Sequence, residues 1–520
     1  MATDTYSYDD IPYDHLAFAQ THPDRLATTA RVFGLEPPRV TSCRVLELGC
    51  GSGGNLIPMA FHLPHATFVG IDLSRRQIES GQRILGDLGI TNATLTHASI
   101  LDVTREWGPF DYIICHGVFS WVEANVQDAI LRIAHENLEA AGVAYISYNT
   151  YPGWHVREAV RHMMRYHTAQ FDEPRERIEQ ARALLDFLVS TSHEQGPYGE
   201  LLAREVERLT RTSDSYLYHE HLEQTNTPFY FHQFIERAEQ AGLQYLSEAS
   251  ISEMLSSHFP KEVAETLERV SPDILHLEQY MDFVRNRQFR QTLLVHKAQR
   301  PTRALTPAFM RGLLVSSAAV PDVLPIDLSP STSVTFRTGT QRADVSLPAS
   351  KAALTILMEE WPQAIDVDEL CTLALERAAP YLETTEEEAR QSTTGDLFGA
   401  VMYGMVNLHT QPPNCTNHPS DRPKAQPLAI YQLRSSSQVV NAHHQVVHLD
   451  PLSAEVLTLA TGERTADEIV DVLLSRVAAD QITLEEGGQP IIDATAVREM
   501  LMRRLDKALV GLTRAAVLVQ

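Results

Sequence analysis

Val45-Leu46-Glu47-Leu48-Gly49-Cys50-Gly51-Ser52-Gly53-Gly54-Asn55 is the stretch on which the fold turns. An apolar run carries one acidic residue, breaks into a glycine-rich turn and leads into a helix-like segment. Glycines let the backbone approach a ligand with no Cβ in the way, and a helix start offers unpaired N–H groups. A phosphate at such a helix start prefers to have no carboxylate beside it. Here Glu47 stands two residues before the first glycine. A carboxylate there suits the ammonium-bearing end of a ligand, such as the methionine moiety of S-adenosylmethionine. Taken alone, the stretch also fits an ordinary strand-to-helix turn.

The next strand signal, Phe68-Val69-Gly70-Ile71-Asp72, decides between the two. It ends in an acidic residue about twenty positions on, where nucleotide folds accept both ribose hydroxyls. Ser74 competes with Asp72 for the helix N-cap that follows. From Arg44 to Asn149 strand and helix signals alternate: CRVLEL, TFVGID, ATLTHAS, DYIICHG and VAYISYN are strands, and WVEANVQDAILRIAHENLEAAG is a helical pattern that stops at a glycine. Such alternation predicts a parallel sheet with helices on both faces. Residues 155–225 and 251–287 read as helical insertions, after which QYLSEAS and FRQTLLVHKA supply two more strands. RPTRALTP, near residue 300, marks a boundary. The expected domains are 1–300, 301–415 and 425–520, with the Pro- and Asn-rich loop QPPNCTNHPSDRPKAQP between the last two.

Ligands of open α/β sheets sit outside the carboxyl ends of the strands. Glu47, Gly49, Cys50, Gly51, Asn55, Asp72, Leu73 and Gln77 are therefore candidate cofactor residues, with Ser99 and Ile100 after strand three at the adenine position and His116 after strand four. His116 fits a structural hydrogen-bonding role equally well. Tyr13, Thr21 and His22 lie ahead of strand one, on a segment that either closes over the cofactor or forms an exposed cap.

These signals in this order resemble the class I S-adenosylmethionine-dependent methyltransferases. The resemblance implies a Rossmann-like seven-stranded α/β sheet, here with helical insertions and α+β winged-helix-like units after it. One departure is Ser99, where many members carry Asp. A narrower resemblance runs through YDDIPY, QTHPDRL, GCGSGGNLIPMA, HGVFSWV, SYNTYPGWH and FYFHQF. It is to bacterial methyltransferases with a regulatory domain, a group that includes the rickettsial protein-lysine methyltransferases. It implies a helical dimerisation insertion, a regulatory middle domain at 301–415 and a homodimer. HLDPLSAEVLTLATGERTADEIV is similar to small winged-helix modules.

A lysine acceptor must be neutral to attack, against a free pKa of about 10.4, so a desolvated aromatic pocket is needed. Tyr148, Tyr151 and Trp121, after strands five and four, are the candidate catalytic residues; each also fits plain packing. The acceptor is expected to be a lysine of a protein or peptide. Alternatives are a small molecule, a ribosomally made peptide, or a non-catalytic binding protein with this fold. A dehydrogenase fits less well, because Glu47 repels a pyrophosphate. The net charge of −24 disfavours a nucleic-acid surface and modestly favours a basic partner. Five scattered cysteines give no zinc or disulfide pattern, no stretch is long and apolar enough to span a bilayer, and MATDTYSYDDIPY lacks a signal-peptide pattern. A cytoplasmic location is expected, with no metal and no membrane partner.

Overall fold

In the computed structural model, residues 16–192, 196–479, 485–486, 489–490 and 494–520 are described. Tyr13 lies outside the described residues. Two compact units separate: one holds Gly34–Ala60 and Pro64–Pro301, the other Ala17–Phe33, Phe61–Leu63 and Thr302–Gln520.

The first unit is built on seven strands: β1 Arg44–Leu48, β2 Thr67–Asp72, β3 Ala93–His97, β4 Phe110–Cys115, β5 Leu138–Asn149, β6 Leu243–Glu248 and β7 Phe289–His296. Their order is β3-β2-β1-β4-β5-β7-β6. The first five run parallel, and β7 runs antiparallel to both β5 and β6. Near-continuous apolar runs explain the central position of these strands: Val45, Leu46 and Leu48 on β1, Tyr112 to Cys115 on β4, and Val143 to Ile146 on β5 are all buried. Strand order reverses between β1 and β4, and ligands of such sheets bind at that reversal.

One expected element is shorter than its pattern. The helix between β4 and β5 covers Ala124–Glu136, and Leu138–Gly142 belongs to β5 instead. Asn137 ends the helix. Its side-chain amide donates to the Thr104 carbonyl at 2.9 Å, and its own carbonyl accepts the Phe110 N–H at 2.7 Å. Gly142 is not a helix stop. A Cβ there would lie 2.7 Å from the Asp111 carbonyl oxygen, so it is a close approach between neighbouring strands.

The insertion after β5 forms helices Trp154–Thr168, Pro174–Ser192 and Gly196–Thr210. Val160, Met164, Ile178, Ala181, Leu185, Leu202, Val206 and Leu209 close their own core at helical spacing. The chain then returns through helix Phe231–Gln240 to β6, and through helices Lys261–Val270 and Ile274–Arg285 to β7. A fully buried guanidinium pins that return. Arg290 of β7 donates to both carboxylate oxygens of Asp282 at 2.8 Å, to Glu248 of β6 at 2.8 Å and to Glu278 at 2.9 Å. Its guanidinium also lies 3.9 Å from the Phe231 ring centroid. Burial would raise the Glu248 carboxyl, but Arg290 and Arg287 hold it below the usual range; burial pushes Glu278 up to about 7.

The second unit carries a three-stranded sheet of Val320–Pro321, Val334–Thr338 and Gln341–Val345. A second sheet joins Leu314–Ser316, Ile365–Asp366 and Asn407–His409. Asp24, on helix Pro23–Val32, is tied to this second sheet: its Oδ2 lies 3.2 Å from His409 Nδ1, and His409 Nε2 shares a 2.8 Å hydrogen bond with Ser316 Oγ. The order is that of a nucleophile relay, but Ser316 is fully buried, so the chain of bonds is a tie rather than a reaction site. Helices Pro451–Leu459, Ala466–Ala478 and Ala494–Arg514 share one core with the hairpin Gln438–Val440 and Val446–His448, giving a winged-helix arrangement. Among the described residues, no helix is long and apolar enough to cross a membrane.

Removing one partner of a buried ion network leaves uncompensated charge, at about 3–5 kcal/mol. Arg290→Met therefore lowers the unfolding free energy of the sheet-bearing unit by about that amount in chemical denaturation. A loss under about 1 kcal/mol, the scale of an exposed pair, contradicts the pinning role.

Candidate functional site

The cofactor side is set by how β1 ends. Gly49, Gly51 and Gly53 take positive φ values of 76°, 53° and 79°, which side chains rarely tolerate. A Cβ on Gly49 would also meet Val118 Cγ2 at 2.4 Å, so the loop after β4 packs directly on the glycine turn. The Gly49 and Cys50 N–H groups donate to the Ile71 carbonyl at 2.9 Å, which fastens the turn to β2. Asp72 completes the link by accepting from Gly51 N–H at 2.9 Å and from Ser74 N–H at 2.8 Å. Ser74, not Asp72, caps helix Arg75–Leu88 by accepting the Gln77 N–H at 3.2 Å.

Glu47 is 4% exposed. Asn55 Nδ2 donates to its Oε1 at 2.8 Å, while Oε2 is buried with no hydrogen-bond partner. Burial pushes this carboxyl up to about 8, against the opposing hydrogen bond from Asn55. An unanswered buried acceptor beside a glycine cradle fits a ligand that carries an ammonium group. Asn55 thus orients Glu47 at the start of the turn, while Asp72 and the Ile71 carbonyl hold Gly51 and Gly49 within it.

The other candidates lie at adjoining strand ends. The Cys50 thiol packs where a Cβ on Gly70 would fall, 2.7 Å from its Sγ. Leu73 is exposed, and the buried Gln77 leaves its Oε1 without a partner. Ser99 Oγ accepts the Leu101 N–H at 3.2 Å in a capping box with Asp102, which places Ile100 at the first position of a short 3-10 turn. The His116 ring shares a 2.8 Å hydrogen bond with the Tyr145 hydroxyl, and burial lowers its pKa to about 3, leaving a neutral imidazole. Thr21 and His22 belong to the second unit. There the Thr21 hydroxyl donates to the Phe18 carbonyl, and His22 Nδ1 accepts the Asp24 N–H.

Past β4 and β5 three segments converge. Thr227 N–H donates to the Ser120 carbonyl at 2.7 Å, Ser120 Oγ accepts the Asn149 N–H at 2.9 Å, and Asn149 Nδ2 donates to Asn226 at 2.9 Å. Trp121 stands edge-to-face on Trp154 at 5.9 Å. Tyr151 stacks on His155 at 4.2 Å and leans on Tyr230 at 5.3 Å. Tyr148 is not brought to this group. It lies on the opposite face of β5, stacked on Phe234 at 3.9 Å, with its hydroxyl 3.3 Å from Thr292. Full burial raises its pKa, so it stays a neutral phenol. Asn226 and Tyr230 escape sequence reasoning because they arrive from more than seventy residues downstream. The break QTNTPFY between two helices is the signal that marks them.

Two consequences attach to Glu47. In the free protein at pH 7 a carboxyl raised to about 8 is mostly protonated, and an arriving ammonium favours its charged form. Binding of S-adenosylmethionine therefore releases a proton, and affinity tightens as pH rises from about 6 toward 8. Calorimetry in buffers of different ionisation enthalpy reads this directly. Glu47→Gln abolishes the release and weakens binding about 10- to 150-fold, the worth of one charged hydrogen bond. Unchanged affinity and unchanged proton release contradict the assignment.

Comparison with known proteins identifies the family. Residues 46–144 match a methyltransferase domain, residues 213–296 a predicted methyltransferase regulatory domain, and residues 421–517 the C-terminal winged helix domain of PKMT. The regulatory match thus falls on the stretch carrying β6 and β7, not on 301–415. An uncharacterised protein of Rickettsia prowazekii is 35% identical over 507 residues, covering 95% of this chain and 90% of that one. PKMT2 from Rickettsia typhi, solved in complex with AdoHcy, is similar with a TM-score of 0.88 at 30% identity, covering 98% of this chain and all of that one. An uncharacterised protein of Synechocystis is 25% identical over 289 residues, 55% of this chain and 57% of its own length. The chain belongs to the family of these rickettsial proteins and is an S-adenosylmethionine-dependent methyltransferase with a regulatory segment and a PKMT-type winged helix.

Proposed function

We propose that this methyltransferase acts on lysine side chains of a protein. The observation that carries the reading is the aromatic character of the segments past β4 and β5, where Trp121 packs on the buried Trp154 and Tyr151 leans on Tyr230. S-adenosylmethionine supplies a methyl group on an electrophilic sulfonium. The chain's own task is to align the acceptor with that methyl and keep water away. A lysine amine must shed its proton to attack, and aromatic walls that exclude water favour the neutral amine. His116, held neutral and bonded to Tyr145, serves as a fixed wall of the crevice rather than as an acid. Trp121 and Tyr151 are the residues assigned to the acceptor; Tyr148 supports β5 from behind. The likeness to PKMT2 and the acidic balance of the chain support a basic protein acceptor over a small molecule or a ribosomally made peptide. Five buried, unpaired cysteines suit a reducing compartment such as the cytoplasm.

A homodimer through the helical insertion forms part of the same proposal. Tyr166 is 89% exposed and Phe187 61% exposed on two of its helices, an apolar display that a two-fold contact would cover. Light scattering at micromolar concentration gives twice the chain mass for the native protein and the single mass for the Tyr166→Ser/Phe187→Ser double variant. A native monomer contradicts the assembly.

The acceptor is identified by reacting the full chain and labelled S-adenosylmethionine with extract from its own source, followed by mass spectrometry. Label appears on lysine nitrogen, and Trp121→Ala raises the acceptor KM while cofactor affinity stays nearly unchanged. Label confined to carboxylates, hydroxyls or small metabolites contradicts the lysine reading.

A further inference from the structure

The aromatic stretch past β5 contains a carboxylate that methyl transfer itself does not call for. Glu158 lies one turn into helix Trp154–Thr168, on the same side as His155 three residues earlier. Its Oε2 accepts the Tyr151 hydroxyl at 2.8 Å. Tyr151 rests on His155 and leans on Tyr230, and His155 Nε2 shares a 3.1 Å hydrogen bond with the Tyr230 hydroxyl. Phe283 meets Tyr230 edge-on at 6.0 Å. The rings touch one another, so they make a wall rather than a closed cage. His155 and Phe283 are exposed, and Tyr151, Tyr230 and Glu158 are half-buried.

Three observations separate this carboxylate from an ordinary structural one. Its hydrogen-bond partner among the described residues is a neutral hydroxyl, not a base. Arg161, three residues on, donates to the Glu223 carbonyl and feels the charge of Glu158 together with Glu223 and Glu220, but makes no hydrogen bond or close ion pair with Glu158 among the described residues. The wall beside it is aromatic and open to solvent on its outer face, and it begins at Tyr151, two residues past the end of β5. A carboxylate edged by aromatic faces attracts alkylammonium groups by charge and by cation–π contact, and offers little to neutral acceptors.

We propose that Tyr151, His155 and Tyr230 with Glu158 form the cation subsite that receives the acceptor's ε-ammonium, and that Glu158 is the residue selecting for charge there. The proposal rests on the lysine reading above. An amine with a free pKa of about 10.4 arrives as a cation at neutral pH, so a charge-reading station ahead of the desolvated crevice separates capture from proton loss. Glu158 is a specificity-determining residue, and no proton transfer is assigned to it.

Saturation-transfer NMR on the full chain with bound S-adenosylhomocysteine tests this. The probes are Nα-acetyl-lysine methylamide and its neutral Nε-acetyl derivative. The lysine probe binds and the neutral one does not. Glu158→Gln weakens the lysine probe about 3- to 30-fold, as does Tyr230→Leu, which keeps bulk but loses the π face. Tyr230→Phe, which keeps the face, binds as the native chain does, and S-adenosylhomocysteine affinity is the same in all variants. Equal binding of the two probes, or unchanged lysine binding in Glu158→Gln, overturns the subsite. Extract labelling separates the two levels. Label absent from lysine overturns the acceptor reading itself, whereas label on lysine with an unaltered acceptor KM in Glu158→Gln overturns the subsite alone.

Discussion

A carboxylate buried at the end of a central strand with one oxygen unanswered is the constraint around which the catalytic unit is arranged. Sealing a lone carboxylate away from water costs several kcal/mol, more than a single amide hydrogen bond returns. Asn55 answers Glu47 Oε1 and leaves Oε2 for a ligand. The geometry nearby follows from keeping that oxygen reachable. The turn after Leu48 takes left-handed conformations, Val118 closes over Gly49 with no room for a side chain, and Asp72 holds the turn through the Gly51 amide. On this account a cofactor ammonium at Oε2 would replace the cost of that unanswered oxygen with an ion pair and couple cofactor affinity to the protonation of Glu47.

The far side of the sheet solves a different problem. After β5 the chain leaves for more than ninety residues and must return to supply β6 and then β7. Arg290 gives the return a fixed register: the guanidinium fork reads Asp282 with two parallel bonds and takes Glu248 and Glu278 on its remaining donors. The match to a regulatory domain covers this stretch, including Asn226 and Tyr230. The segment that completes the sheet therefore also brings Tyr230 against Tyr151 and His155, the wall proposed for the acceptor. Phe229 ties this segment to the end of β5: its carbonyl accepts the Tyr151 N–H and its N–H donates to the Asn149 carbonyl.

The cofactor half was legible because its chemistry is local. VLELGCGSGGN and GIDLS each place their acidic residue at a strand end, and the strand order puts the two ends side by side. The positions of β6 and β7 were legible from apolar runs bounded by a glycine-ended helix and a charged turn. The helix over 121–142 was drawn too long because NLEAAG has high helix propensity, while pairing of Leu138 with Phe110 decided for strand. Tyr148 illustrates a missed parity: β5 alternates, Tyr145 and Ser147 face His116 and Gly117, and the residue between Ser147 and Asn149 must face away. Glu158 carried no local signature, and the break QTNTPFY marked Asn226 and Tyr230 only as loop residues, since their meaning arises when the insertion folds back on β5.

The central claim is that the Glu47 carboxylate receives the cofactor's ammonium. A crystal structure of the full chain grown with S-adenosylhomocysteine tests it most directly. The account predicts the ligand's ammonium at hydrogen-bond distance, about 2.7–3.0 Å, from Glu47 Oε2, with Asn55 still on Oε1. An ammonium seated elsewhere, with Oε2 still unpartnered, would contradict it.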